Sequence, residues 1–174
     1  MLDLSRQLNP AVDHHLGDMR THTVRLDRKF DPVLVHDVIA SMLSEDDLTA
    51  TFTTAREHFN DGGILLVAPD LVRDEFTDDT VLQWYNKKEN IAIEIEKHIS
   101  DPYPSGTVVE SLYTYTIREA GTERVERDRH ISGLFSIAVW TRLFEESGFE
   151  VERHSLPGFQ GYGEHLFCGI VRHR

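Results

Sequence analysis

One cysteine in 174 residues excludes two kinds of protein at once. Cys168 has no partner for an internal disulfide and no companion thiols for a thiolate metal cluster. Basic residues are scarce as well. Eighteen lysines and arginines against 30 acids leave a formal net charge of −12. Wrapping nucleic acid by phosphate neutralisation needs a basic face, and so does adhesion to an anionic bilayer, so neither nucleic acid nor membrane is expected as a partner. Long apolar runs are missing too. The longest, Ile64-Leu65-Leu66-Val67-Ala68-Pro69, is far short of the roughly 20 residues of a spanning helix. The opening Met1-Leu2-Asp3-Leu4-Ser5-Arg6 has neither the basic nor the apolar region of a signal peptide, and a cytoplasmic location is expected.

Several chemical motifs are also absent. No GxGxxG or GxxxxGK(S/T) follows a strand, and the glycines of Gly158-Phe159-Gln160-Gly161-Tyr162-Gly163 read as a loop between strands, not as a phosphate cradle. Ser/His/Asp catalysis wants a Gly-x-Ser-x-Gly elbow, which does not occur. Ten histidines include no HExxH and no His/Cys cluster, so no metal site is expected. His14 and His15 are adjacent, and in a strand they point to opposite faces. Cys168 sits in an apolar strand and reads as a small buried hydrophobe.

What remains is a soluble globular composition, 40% hydrophobic and 28% charged, of a size that fits one domain spanning 1–174. Asp13 to Leu16 is a short strand candidate, and Phe30 to Asp37 a better one, β-branched and entered through a proline. A helix follows, with Ser44 as N-cap and Asp47 three residues on. Leu48, Phe52, Ala55 and Phe59 make its apolar stripe, and Gly62-Gly63 its expected end. Ile64 to Pro69 reads as a strand buried on both faces, which completes a βαβ unit with a right-handed crossover.

The second half alternates. Asn90 to Lys97 reads as a half-buried strand, and Thr107 to Ile117 with Glu123 to Ile131 as a hairpin about Glu119-Ala120-Gly121-Thr122. Ser136 caps a second helix with Val139, Trp140, Leu143 and Phe144 on its buried face, ending at Gly148. Phe149 to Arg153 and His165 to Val171 are the last strands. The expected class is α/β, with an antiparallel β insertion over roughly 74–133 and an antiparallel last strand.

Ligands of open α/β sheets bind outside the carboxyl ends of the parallel strands. Here those ends read Gly17-Asp18-Met19-Arg20, His36-Asp37 and Pro69-Asp70. An aspartate at such a place accepts hydrogen bonds from a ligand amine or hydroxyl, or else it caps a turn. His130, before Ile131-Ser132-Gly133, is the histidine best placed to accept a proton, the alternative being a satisfied structural residue.

Leu16-Gly17-Asp18-Met19-Arg20, then Phe30-Asp31-Pro32-Val33-Leu34-Val35-His36-Asp37, then Ala55 to Leu66 resemble the middle of a class I S-adenosylmethionine-dependent methyltransferase. Asp128-Arg129-His130-Ile131-Ser132-Gly133-Leu134-Phe135, the helix through Trp140, and Glu146-Ser147-Gly148-Phe149 are similar to its small-molecule and amino-sugar N-methyltransferase branch. The resemblance implies an incomplete Rossmann-like sheet, S-adenosylmethionine as cofactor and a small-molecule acceptor. It further implies that Asp18 and Met19 hold the adenine, that His36 and Asp37 line the methionine end, and that His130 accepts the nucleophile's proton. The family opens with a glycine-rich loop and a ribose-binding acid, whereas Leu2 to Pro10 looks like the helix after them. Without those strands Phe30 to Asp37 becomes a sheet edge, and weak cofactor binding and a homodimer are expected. Two functional readings follow: methyl transfer to a small amine or hydroxyl, or an inactive methyltransferase scaffold that binds a partner.

Overall fold

A computed structural model describes residues 2–21, 26, 28–104, 106–156 and 163–172. Of the loop expected at Gly158 to Gly163, residues 158–162 lie outside these residues. The chain begins with helix α1 (Leu2–Leu8), then strand β1 (Phe30–His36), a single 3-10 turn (Val38–Ser41), helix α2 (Glu45–Glu57) and strand β2 (Phe59–Ala68). Four strands follow, β3 (Thr80–Lys88), β4 (Ile91–Ser100), β5 (Val108–Glu119) and β6 (Thr122–Gly133). Helix α3 (Ile137–Glu146) and strands β7 (Phe149–Ser155) and β8 (His165–Val171) complete it.

The strands make two sheets. The first has the order β1-β2-β8-β7, with β1 parallel to β2 and β8 antiparallel to both its neighbours. The second is the antiparallel meander β3-β4-β5-β6. Helices α2 and α3 contribute Leu48, Phe52, Trp140, Leu143 and Phe144 to a core shared with Leu65, Val67 and Phe167 of the first sheet. Aromatic rings dominate it: Phe52 lies 4.3 Å from Phe144, and Trp140 stacks on Phe167 at 5.7 Å. Burying rings of this size supplies most of the apolar driving force.

The helix starts behave as their sequences require. Ser44 Oγ accepts from the Asp47 amide at 3.1 Å, and the Asp47 carboxylate reaches back to the Leu43 amide at 3.3 Å. Ser136 Oγ accepts from the Val139 amide at 3.2 Å. Each cap satisfies a donor that the first helical turn leaves open.

Four expectations need correction. Asp13 to Leu16 is not a strand: no described strand stands beside it to supply ladder bonds, and His14 Nε2 pairs with Ser5 Oγ of α1 at 2.9 Å instead. Helix α2 ends at Glu57 rather than at the glycines, and Phe59 opens β2 opposite Phe30, after which the register shifts between Phe30 and Pro32. Gly62, at φ 77, lies in that irregular stretch, so the glycine pair serves a strand irregularity and not a helix end. One face of the β2 run, Leu65 and Val67, is fully covered, while the other is covered only towards its end, with Ile64 39% exposed and Ala68 3%. Strand β3 is absent from the sequence reading because Thr80 to Lys88 has little apolar alternation; pairing with β4 along its whole length is what makes it a strand.

Candidate active site

Strand β1 ends at His36, and Asp37 turns the chain sharply at φ 53 into the 3-10 turn that carries Ala40 and Ser41. A non-glycine residue in that region is strained, which is common where a functional site over-determines the backbone. Strand β2 ends beside it, followed by Pro69 and Asp70. The second sheet approaches from the other side. Thr107 Oγ1 donates to the Leu43 carbonyl at 2.6 Å, and the Leu134 amide donates to the Thr107 carbonyl at 2.8 Å. Farther out, Arg73 bonds Asp101 at 3.0 Å and the Gly106 carbonyl at 2.6 Å, tying the β4–β5 connection to the segment after β2.

Between the sheets lies a cleft of about 480 Å³, lined by Asp37, Ser41, Asp70, Lys97, Tyr113 and His130. It sits where an α/β sheet binds ligands, at the carboxyl ends of β1 and β2. Its lining is hydroxyl, carboxylate, ammonium and imidazole around one aromatic ring. Such a set suits a small polyhydroxylated molecule, which needs acceptors and donors on its rim and a flat face to lie against.

Lys97 is 4% exposed, and its Nζ stands 5.2 Å from the centre of the Tyr113 ring. The aromatic face meets part of the charge that burial would otherwise leave unsolvated. The His130 ring packs against Tyr113 itself, centre to centre at 5.0 Å, and His130 Nε2 lies 2.9 Å from Asp128 Oδ2. That bond is the main cause holding the Asp128 carboxyl below its ordinary range.

Of the residues singled out in the sequence, the cleft brings together Asp37, Asp70 and His130. Asp18 and Met19 line a second space, a groove of about 470 Å³ along β1 and α2 with Phe30, Val33, Thr51 and His58. His36 lines neither; its Nδ1 pairs with Asp37 Oδ1 at 2.9 Å on the exposed rim. Both Asp18 oxygens accept from Arg20, and Arg20 continues to Asp47 at 2.9 Å. Those hydrogen bonds pull the Asp18 carboxyl down to about 2. Because Asp47 is in the first turn of α2, Asp18 stands at the same end of the first sheet as Asp37.

Lys97, Tyr113 and Ser41 were not anticipated. The signal for Lys97 was present: it falls in phase with Ile91, Ile93, Ile95 and Ile99, so a cation occupies an apolar-face position. Cys168 is half-buried, and burial pushes its thiol above the ordinary range. Among the described residues no group of three or more His, Cys, Asp or Glu side chains could hold a metal ion. No described helix is long and apolar enough to cross a membrane.

Comparison with protein-family profiles gives no match. A dTDP-3-amino-3,4,6-trideoxy-alpha-D-glucopyranose N,N-dimethyltransferase of Streptomyces venezuelae is 27% identical over 172 residues, spanning 98% of this chain and 69% of that protein. The crystal structure of DesVI from Streptomyces venezuelae superposes with a TM-score of 0.84 at 26% identity, over 98% of this chain and 70% of that one. The fold is also that of S-adenosylmethionine-bound CalS10, an amino pentose methyltransferase from Micromonospora echinaspora, at a TM-score of 0.85 and 22% identity over 98% and 70% of the two chains. The chain thus resembles class I S-adenosylmethionine-dependent methyltransferases, and among them the amino-sugar N-methyltransferases.

Proposed function

We propose that this protein transfers a methyl group from S-adenosylmethionine to the amine of a small sugar-like acceptor in the cleft between the two sheets. The observation that carries the reading is the polar, aromatic-backed cleft at the ends of β1 and β2. The relatives named above act on amino sugars according to their names, and this site has the chemistry for such a molecule. Tyr113 offers a face to a sugar ring, while Asp37, Asp70 and Ser41 offer acceptors for hydroxyls.

The cofactor supplies an activated methyl on a sulfonium, so the protein's share is alignment, exclusion of water and management of one proton. Asp37 is an acceptor suited to an ammonium at the rim of the cleft, and Asp18 one suited to an aromatic amine at the same end of the sheet. An amine at Asp18 shares the carboxylate with Arg20, which already bonds both oxygens. Met19 packs against the core and offers an apolar contact beside it. His130 takes the acceptor's proton.

The whole of 1–174 acts as one domain in this proposal, with the β3–β6 sheet as its acceptor cover. Strand β1 has β2 as its sole strand partner among the described residues, and Leu34 is 64% exposed. A second copy covering that edge makes a homodimer. Light scattering then reports about twice the 20.0 kDa chain mass, and a monomer would remove the dimer from the proposal.

Titration calorimetry with an amino-sugar nucleotide, in the presence of S-adenosylhomocysteine, tests the site. Binding that weakens by about tenfold in Asp70→Ala supports it, corresponding to one lost hydrogen bond to a charged group. Equal affinity of the variant places the acceptor elsewhere.

A further inference from the structure

Asp128 and His130 stand two residues apart on β6, so the period of the strand puts both side chains on one face. In the row of Asp128, Tyr113 of β5 and Lys97 of β4 are its cross-strand neighbours, which makes this the face that lines the cleft. Asp128 Oδ2 lies 2.9 Å from His130 Nε2. A carboxylate only accepts, so the hydrogen of a neutral imidazole resides on Nε2 and the basic lone pair on Nδ1. Tyr113, with its ring centre 5.0 Å from that of His130, restricts the turning of the imidazole.

We infer that Asp128 is a positioning residue for methyl transfer, holding His130 in the tautomer whose Nδ1 takes the acceptor's proton. The inference rests on the reading of His130 as proton acceptor. The amine lone pair forms the new N–C bond, and the electrons of the broken C–S bond stay with sulfur. The surplus ammonium proton passes to Nδ1, and the imidazolium so formed faces the Asp128 carboxylate. The other titratable and charged groups around the cleft are Tyr113 of β5, Lys97 of β4, Asp37 after β1 and Asp70 after β2. The ring's hydrogen bond is to Asp128.

The test compares the wild-type protein with Asp128→Asn and His130→Gln. The Asp128 side chain is 61% exposed, so its replacement leaves folding intact, checked by the thermal midpoint. NMR of the imidazole nitrogens reads the tautomer without requiring turnover. The wild type is expected as the Nε2–H tautomer. Asp128→Asn, whose amide can donate as well as accept, is expected as a mixture of the two tautomers. In turnover, kcat falls about tenfold with KM unchanged. An unchanged tautomer in Asp128→Asn overturns the inference. So does a slow His130→Gln beside a fully active Asp128→Asn, while the proton-acceptor reading survives. A His130→Gln variant with wild-type rate overturns both.

Discussion

Replacing Gly133 with alanine perturbs the contact that joins the two sheets at the cleft. A methyl group there overlaps the Met42 carbonyl oxygen and comes 2.6 Å from Phe135 Cε2, where ordinary contact begins at 3.4 Å. Neither neighbour has room to retreat. Phe135 is 2% exposed and packs edge-on against Trp140 at 5.8 Å, while the amide of Met42 is tied to the Ile39 carbonyl at 3.1 Å. Overpacking costs about 1–3 kcal/mol, and a clash against backbone belongs at the upper end. The alanine also restricts the unfolded chain, which returns about 0.4–1 kcal/mol. A net loss of about 2 kcal/mol is expected, seen in urea unfolding as a midpoint lowered by about 1 M at an unchanged slope. The site should suffer more. Relief of the overlap moves His130 and Ser132 by about 1 Å relative to Ala40 and Ser41, and a misplacement of that size costs about a hundredfold in rate. Gly121→Ala is the control: it has nothing within 4 Å, and only its φ of 82 resists the change, for about 1 kcal/mol and no loss of rate. A Gly133→Ala protein within about 0.5 kcal/mol of wild type would refute the packing argument.

Arg73→Ala removes the ion-pair partner of Asp101, whose side chain is 5% exposed and keeps only the Tyr103 amide among the described bonds, and should cost about 2–4 kcal/mol in the same unfolding assay; Arg73 itself is 29% exposed, which keeps the loss below the deepest cases. Asp18 has its folded value depressed to about 2 from 3.8, so the contribution of its bridge is present above 3.8 and lost as pH falls through 2. An NMR titration of the Asp18 carboxyl checks this, and in Arg20→Ala its midpoint should return towards 3.8. His130→Ala should lower turnover by about a hundredfold with little change in thermal midpoint, since the side chain is 51% exposed. Cys168, its thiol raised by burial, should react with iodoacetamide at neutral pH more slowly than a free thiol does, until the protein unfolds.

Local signals carried the fold where they agreed with tertiary pairing. Ser44 and Ser136 cap the helices they were expected to cap, and the β5–β6 turn falls at Ala120 and Gly121, both at positive φ. Where structure depends on a neighbour, the sequence was silent. Asp13 to Leu16 has no described strand beside it and forms none, while Thr80 to Lys88, whose apolar residues come in adjacent pairs rather than alternating, pairs throughout with β4. The glycine pair after Phe59 misled for a different reason, because Gly62 and Gly63 serve a strand irregularity as readily as a helix end. The cleft was half legible. Strand ends flagged Asp37 and Asp70, and the stretch resembling the methyltransferases flagged His130. Lys97 and Tyr113 come from the facing sheet, whose approach to β1 and β2 no local pattern states.

Methyl transfer itself tests the central claim most directly. The protein is incubated with S-adenosylmethionine carrying a deuterated methyl group, with the cofactor raised into the millimolar range, and with a dTDP-linked amino sugar. Mass spectrometry of the acceptor reads the outcome. The expected result is label on the acceptor nitrogen, formed by the wild-type protein and about a hundredfold more slowly by His130→Ala. An acceptor that stays unlabelled, or label that accumulates equally with the His130→Ala protein, would contradict amine methylation in this cleft.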